Sequence, residues 1–248
     1  LKLNPNLPRQ KIKLGVNLDH VATIRQQRYT PYPDMLTAIK ISESSGADSI
    51  TMHLREDRRH IQFDDIKIAK KNIKTKLNLE MAATKEMCKI ANDIKPDFIC
   101  IVPEKRQELT TEGGLNIKKN FQSLEKALNS LRQSNAKISL FIEPDVETIK
   151  IAKELGADAI EIHTGGYAEA NESKKEYFLK KIDEATEYSH QLSLVTNAGH
   201  GLDYTNVQEI ARIKLLNELN IGHSIIAESI FLGLSEAIRK MKNLIESA

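Results

Sequence analysis

The chain has 248 residues, a net charge of +2 and 40% hydrophobic residues, as an ordinary soluble globular protein does. Balanced charge argues against nucleic-acid and membrane-surface partners, and no apolar run approaches the length of a membrane span. Residues 1–13 are polar and contain proline, so we predict an N-terminal extension there and no secretory signal. The two cysteines, Cys88 and Cys100, fit neither a disulfide framework nor a metal motif, which favours a reducing, cytoplasmic location.

Short apolar runs alternate with amphipathic stretches along the chain, which predicts strands that alternate with helices. The predicted strands are residues 14–19, 48–54, 77–82, 98–102, 138–142, 159–163, 192–197 and 219–222. The predicted helices are residues 33–45, 64–72, 84–94, 117–134, 146–155, 172–191, 207–216 and 234–246. Asp34 and Thr84 stand at N-cap positions, and Gly46 and Gly156 follow helices, which supports these boundaries.

Eight strand–helix units in 248 residues predict an α/β fold, a single (β/α)8 TIM barrel with extra helices that takes in the whole chain as one domain. An open, doubly wound sheet is the alternative. Such a sheet usually carries a glycine-rich dinucleotide fingerprint after its first strand. Here the first strand runs into residues 17–20, Asn-Leu-Asp-His, without that fingerprint, which favours the barrel.

One face of the predicted strands is apolar and the other carries polar side chains. Because strand residues alternate between faces, the apolar set packs against helices and the polar set points into the barrel. The inward set includes Asn17, Asp19, His53, Glu80 and Glu161, and it lies toward the strand ends where barrel active sites are built. As alternatives, Asn17 and Asp19 form a turn, or Glu80 neutralises a neighbouring arginine. Six of the seven histidines lie at strand ends or in the loops that follow: His20, His53, His60, His163, His200 and His223.

Loops at the same end of the barrel carry signals for anion binding. Residues 197–201 follow strand seven, and residues 222–224 follow strand eight and open a helix, where barrels often bind phosphate. After strand one, Arg25 and Arg28 are each able to clamp a phosphate. The long segment of residues 103–114 after strand four is either a closing lid or a plain surface loop.

Three classes of function remain open on these residues. Imidazoles and carboxylates suit a metal-free acid–base enzyme acting on a small phosphorylated substrate. The histidine-rich rim also permits a metal-dependent hydrolase, although H-x-H and H-E-x-x-H motifs are absent. A catalytically silent binding barrel is the third class. The lack of an inward lysine disfavours Schiff-base chemistry.

Eight strings in the chain resemble the pyridoxine 5'-phosphate synthase family, in order and with the family spacing from about residue 14 to residue 246. The string at residues 53–61, His-Leu-Arg-Glu-Asp-Arg-Arg-His-Ile, is especially specific. The other strings are residues 15–23, 78–82, 102–108, 110–114, 161–165, 197–201 and 220–223.

The resemblance implies that the chain condenses 1-deoxy-D-xylulose 5-phosphate with 3-amino-2-oxopropyl phosphate to pyridoxine 5'-phosphate, phosphate and water. It implies proton acceptors at His53 and Glu80, a proton donor at His200 and a transition-state stabiliser at Glu161. Implied contacts to the aminoketone phosphate are Asn17, Arg28, Gly201, Gly222 and His223. Implied contacts to the deoxyxylulose phosphate are Asp19, His20, Arg55, His60 and Thr110. It further implies a homo-octamer of barrels and no metal or organic cofactor.

Overall fold

The structure is a computed structural model that describes residues 11–104 and 113–248. Eight parallel strands follow one another in chain order, and the last pairs with the first to close a barrel. The strands are β1 Lys13–Asn17, β2 Ser49–His53, β3 Lys76–Met81, β4 Phe98–Ile101, β5 Lys137–Ile142, β6 Ala159–His163, β7 Val195–Gly199 and β8 Leu216–Ile221. The closed barrel with surrounding helices confirms the predicted (β/α)8 fold over the open sheet.

Helices connect successive strands and surround the barrel. They are α1 Asp19–Gln26, α2 Met35–Ser44, α3 Phe63–Asn72, α4 Lys85–Ile94, α5 Ile117–Leu131, α6 Val146–Glu154, α7 Gly165–Ala168, α8 Glu172–Gln191, α9 Val207–Ala211, α10 His223–Leu232 and α11 Leu234–Glu246. The Asp34 and Thr84 side chains cap α2 and α4 as predicted. Among the helices of residues 11–104 and 113–248, none combines the length and apolar character that crossing a membrane requires.

Several boundaries differ from those predicted. The helix expected at residues 207–216 ends at Ala211, and β8 begins at Leu216, because the chain turns through a left-handed residue at Leu215. β7 starts three residues later than expected, after a similar turn at Ser193. The segment at residues 21–32, predicted as a loop, contains most of α1. This helix has only 8 residues, which is too short for its hydrophobic pattern to show a clear helical period.

The core lies between the barrel and its helices. The apolar strand face, including Leu14, Val16, Ile50 and Met52, is fully buried there, as the alternation predicts. Each such side chain contributes about 1.5–3 kcal/mol relative to leaving it in water. The alternating polar positions therefore face the barrel axis. Strand register places them beside one another: His53 lies opposite Glu80.

Gly15 shows how closely the interior is packed. A Cβ at this position would lie 2.1 Å from the Oδ1 atom of Asn220 and 2.9 Å from the hydroxyl of Ser49. The missing side chain leaves the space that Asn220 occupies in the barrel interior. From that position the Asn220 amide donates a hydrogen bond to Glu161 at 2.7 Å.

Candidate active site

One cavity of about 750 Å³ opens at the carboxyl ends of the strands, where barrel enzymes carry their sites. Twelve of the residues predicted from the sequence line it: Asn17, Asp19, His20, His53, Arg55, His60, Glu80, Glu161, His200, Gly201, Gly222 and His223. Arg28 is exposed and lies outside this lining. Thr110 lies outside the described residues, as does most of the predicted lid segment. The residues proposed for proton transfer therefore share one space.

Asp19 lines the cavity and connects β1 to β2 through hydrogen bonds. Its Oδ1 atom accepts a hydrogen bond from the backbone N–H of His53 at 2.8 Å, and its Oδ2 atom accepts one from the Asn17 amide at 3.0 Å. The Asn17 side chain in turn accepts the Asp19 N–H at 2.8 Å. The turn interpretation is thus correct as local structure, and the same residues also line the cavity.

Glu80 is a largely buried carboxyl group of the cavity with a perturbed pKa. Its Oε2 atom lies 3.4 Å from the Asn17 amide nitrogen and 4.0 Å from Nδ1 of His53. Burial raises the pKa of Glu80 well above its usual range, and the negative charges of Glu161 and Asp19 raise it further. The group is therefore poised to hold a proton at a pH where an exposed glutamate would not.

Glu161 stands at the centre of a buried polar chain. Its Oε2 atom accepts a hydrogen bond from the Asn220 amide at 2.7 Å, and the Asn220 oxygen accepts one from the hydroxyl of Thr51 at 2.9 Å. Burial raises the pKa of Glu161 to about 7, although the Asn220 hydrogen bond opposes the shift. A carboxyl group with a pKa near neutrality is able to change protonation during a reaction.

Glu104 contacts a site residue, although it lies near the start of the segment of residues 103–114 that is predicted as a lid or a surface loop. Its Oε1 atom lies 2.9 Å from Nε2 of His53, and its Oε2 atom accepts the N–H of Glu56 at 3.0 Å. Burial opposes ionisation, but these hydrogen bonds outweigh it and lower the pKa of Glu104. The sequence signal for Glu104 is weak: the residue lies three positions after the end of β4, on a loop at the carboxyl end of the barrel.

Burial also affects the imidazoles. It lowers the pKa of His20, His60 and His200, because a charged ring is poorly solvated in the cavity wall. The His20 and His223 rings lie edge to face with centroids 5.0 Å apart. These rings are therefore readier to give up a proton than a histidine in water.

Two parts of the cavity suit anionic groups. At one, α10 begins directly after Gly222, and the Ser224 hydroxyl donates to the carbonyl of Leu202 at 2.7 Å, which ties the loops after β7 and β8 together. Backbone N–H groups at such a helix start attract phosphate. At the other, two arginines, Arg55 and Arg59, line the cavity and supply positive charge. Both donate hydrogen bonds to Asp57, which fixes their position.

Within the described residues, Asp19, His53 and His60 form a group that could hold a metal ion, with one ligand atom from each lying within 4.8 Å of the others. Oxygen and imidazole donors suit zinc and related divalent metals. Both Asp19 oxygens already accept hydrogen bonds, and Nδ1 of His60 accepts the N–H of Ile61 at 2.8 Å, so internal partners already satisfy these atoms in part.

The closed barrel, with a cavity lined by carboxylates and imidazoles at the carboxyl ends of its strands, belongs to the (β/α)8 class of enzymes. Residues 14–247 match the family model described as "Pyridoxal phosphate biosynthesis protein PdxJ". The chain belongs to this family, the pyridoxine 5'-phosphate synthases.

Curated relatives agree with the assignment, and a solved structure shows the same fold. The chain is 56% identical over 232 residues to pyridoxine 5'-phosphate synthase of Prochlorococcus marinus strain AS9601, an alignment that covers 94% of this chain and 98% of the relative. It is 52% identical to the synthase of Legionella pneumophila strain Corby, covering 96% and 97% of the two chains. A solved structure of KGPDC from Streptococcus mutans matches with a TM-score of 0.64, 12% identity and coverage of 96% and 99%, which shows the shared fold alone.

Proposed function

We propose that this enzyme condenses 1-deoxy-D-xylulose 5-phosphate with 3-amino-2-oxopropyl phosphate and releases pyridoxine 5'-phosphate, phosphate and water. The observation that carries the proposal is the convergence of His53, Glu80, Glu161 and His200 on one cavity in a chain of this family. The reaction joins an amine to a ketone, sheds water and phosphate, and moves several protons. Each well-placed acid or base typically contributes about 10²–10⁴-fold to the rate of such steps.

The proposed proton acceptors are His53 and Glu80, which face each other across neighbouring strands. Glu80 suits the role because its raised pKa keeps it a stronger base than an exposed carboxylate. His200 is the proposed donor, and burial lowers its pKa, which favours release of its proton to a substrate oxygen. Glu161 stabilises positive charge that develops in the transition state. The imine nitrogen comes from the aminoketone, so no enzyme lysine takes part.

The proposed substrate contacts divide between the two parts of the cavity that suit anionic groups. Asn17, Gly201, Gly222 and His223 bind the aminoketone phosphate beside the start of α10. Asp19, His20, Arg55 and His60 bind the deoxyxylulose phosphate. The family resemblance alone supports the assignments of Arg28 and Thr110.

The experiment is direct synthesis. Purified protein, treated with a chelator and incubated with both substrates, is expected to form pyridoxine 5'-phosphate, detected by mass spectrometry. Because the proposal includes no metal or organic cofactor, the rate should be the same before and after chelation. Failure to form the product from both substrates would contradict the proposed reaction.

The second candidate is a metal-dependent hydrolase, which the Asp19–His53–His60 group favours. It predicts stoichiometric bound metal in the purified protein, together with hydrolytic activity that a chelator abolishes. Elemental analysis of the same preparation separates the two candidates, because the proposed synthase requires no bound ion.

We further propose that the enzyme works in the cytoplasm as a homo-octamer, with two small phosphorylated substrates and no nucleic-acid or membrane partner. Three consecutive apolar residues at the end of α10 support association. Ile230, Phe231 and Leu232 are 70%, 85% and 45% exposed, an unusual concentration of apolar surface for a helix end.

A further inference from the structure

His163, at the end of β6, takes no part in the proposed function, yet it lies between the proposed donor His200 and the carboxylate of Glu143. Its ring lies beside the ring of His200, with centroids 5.0 Å apart, and its side chain is 11% exposed. His200 lines the cavity, whereas His163 lies behind it, outside the lining. A second imidazole therefore lies next to the proposed donor but outside the cavity lining.

Glu143 holds this ring in one orientation. Its Oε1 atom lies 2.7 Å from Nδ1 of His163 and also accepts the backbone N–H of Gly114 at 2.8 Å. Burial opposes ionisation of Glu143, but these hydrogen bonds prevail and lower its pKa, so the group is a carboxylate. A carboxylate only accepts, so Nδ1 of His163 carries a hydrogen atom. Half of the Glu143 side chain remains exposed, which connects the pair to solvent.

The second nitrogen of His163 is left available. Within the described residues, Nε2 is buried and has no hydrogen-bond partner. It faces Gly165, where a Cβ would lie 2.4 Å from Nε2 and 3.3 Å from Cδ2 of His200. The absence of a side chain at Gly165 thus keeps open the space that the two rings share.

The backbone fixes the donor in the same arrangement. The Thr164 hydroxyl donates to the carbonyls of Gly199 at 2.7 Å and His200 at 2.6 Å. His200 has a φ of 82°, a left-handed conformation that side chains rarely adopt. The residue that follows His163 therefore stabilises the strained residue that carries the donor, and the two rings are held as a unit.

We propose that the Glu143–His163 pair is a proton reserve that refills His200 after His200 has protonated the substrate. This inference rests on the donor role of His200 in the proposed function. His163 acts through His200 and does not touch the substrate, so it is a positioning and supply residue.

The step moves one proton. Before it, His163 carries hydrogen on both ring nitrogens, and the Glu143 carboxylate balances its charge. Rotation of the His200 ring first brings one of its nitrogens within hydrogen-bond distance of Nε2 of His163. The Nε2–H bond of His163 then breaks, and an N–H bond forms at the empty ring nitrogen of neutral His200. His163 is left neutral, with Nδ1–H still donating to Glu143, which is the hydrogen bond in the structure. The next proton comes from solvent and binds at Nε2 of His163 when rotation of the His200 ring exposes that nitrogen to the cavity.

Other charged groups also act on this pair. Burial lowers the pKa of His200, and His163 lowers it further. Glu169 and Glu143 oppose this shift but do not reverse it. Lys181 contributes to the lowered pKa of Glu143, after the hydrogen bonds from His163 and Gly114. A proton on His163 therefore favours a neutral His200 until the transfer takes place, as a reserve requires.

The test is chemical rescue of His163→Ala. We expect kcat to fall by about tenfold or more, less than the loss of a direct acid, with KM for both substrates unchanged. Added imidazole should restore the rate, because a diffusible acid then refills His200. A purely structural role for His163 would not respond to imidazole. The matched control is His190→Ala, an exposed histidine on α8, which should keep the wild-type rate with and without imidazole.

The inference is overturned if folded His163→Ala keeps the wild-type kcat, or if its loss does not respond to imidazole. Should this variant fail to fold, Glu143→Gln is the second test, since the side chain is half exposed. Its kcat should fall and respond to added imidazole, because the carboxylate that holds Nδ1 of His163 and balances its charge is lost, and a wild-type kcat in this variant would overturn the inference. His200→Asn separates the two proposals: full activity in that variant contradicts the donor role itself.

Discussion

Glu80 places a carboxyl group inside the barrel, 4.0 Å from Nδ1 of His53, with a pKa that burial raises well above its usual range. We expect Glu80→Gln to lower kcat by about 10²-fold or more, since a general base typically contributes at least that much. Thermal stability should stay the same or increase, because a buried ionisable group is replaced by a neutral one of equal size. Steady-state kinetics and thermal melts measure both.

The control for Glu80→Gln is Glu125→Gln, which makes the same change on the exposed face of α5 and should alter neither quantity. A large fall in melting temperature for Glu80→Gln, with kcat little changed, would mean that Glu80 has a structural role.

Glu161 makes stability depend on pH in a defined window. Burial raises its pKa from about 4.5 to about 7, so the folded protein binds a proton that the unfolded chain has lost. The contribution of Glu161 to the free energy of unfolding should therefore be largest below about pH 4.5 and should fall as the pH rises toward 7. In Glu161→Gln this decline should be smaller. Urea denaturation at several pH values measures it, and equal slopes in both proteins would exclude the shift.

At the scale of elements, the loops after β7 and β8 form the proposed phosphate site. Gly201 has a φ of 74°, and a Cβ there would lie 2.6 Å from Cβ of Ala168. Gly201→Ala should therefore displace the loop and raise KM for the aminoketone phosphate. Backbone strain should also destabilise the fold by about 1 kcal/mol or more.

Gly233→Ala provides a matched control, because Gly233 has a φ of 78° but no atom within 4 Å of an added Cβ. It should reproduce the strain without the clash, so stability falls and KM stays constant. If the two variants raise KM equally, the loop after β7 does not bind the phosphate.

The sequence predicted elements best where a long pattern was available. α8 and α11 have the predicted bounds. β7 begins three residues later than predicted, and α9 begins at the predicted residue but ends five residues early. Those errors arise where apolar residues continue across a turn, so the period does not reveal the break. Ser193 and Leu215 make these turns in left-handed conformations that are uncommon for their residue types.

The candidate site was predictable because inward polarity at strand ends has no simple structural cause. Strand alternation does not predict Glu104 or Asn220. Their positions in the site depend on tertiary contacts, Glu104 with His53 and Asn220 with Glu161. Hydrogen bonds between distant strands leave no periodic signal in one sequence. Arg28 shows the opposite case, since the resemblance assigns it to substrate but its side chain lies outside the cavity.

At the scale of the whole molecule, the proposed octamer requires surfaces between barrels. Phe231 is 85% exposed beside two other apolar residues, so we expect Phe231→Asp to give smaller assemblies than the wild type. Size-exclusion chromatography with light scattering measures the mass. Ile68→Asp, an isolated exposed residue on α3, is the control. A monomeric wild type would contradict the octamer, and an unchanged Phe231→Asp assembly would exclude this surface.

The central claim is that one cavity at the barrel mouth binds and converts both substrates. A crystal structure with pyridoxine 5'-phosphate bound tests it most directly. We predict that the pyridine ring lies among His53, Glu80, Glu161 and His200, with a phosphate against Gly201 and Gly222. Product bound elsewhere, or in this cavity with its ring out of reach of these four side chains, would contradict the account.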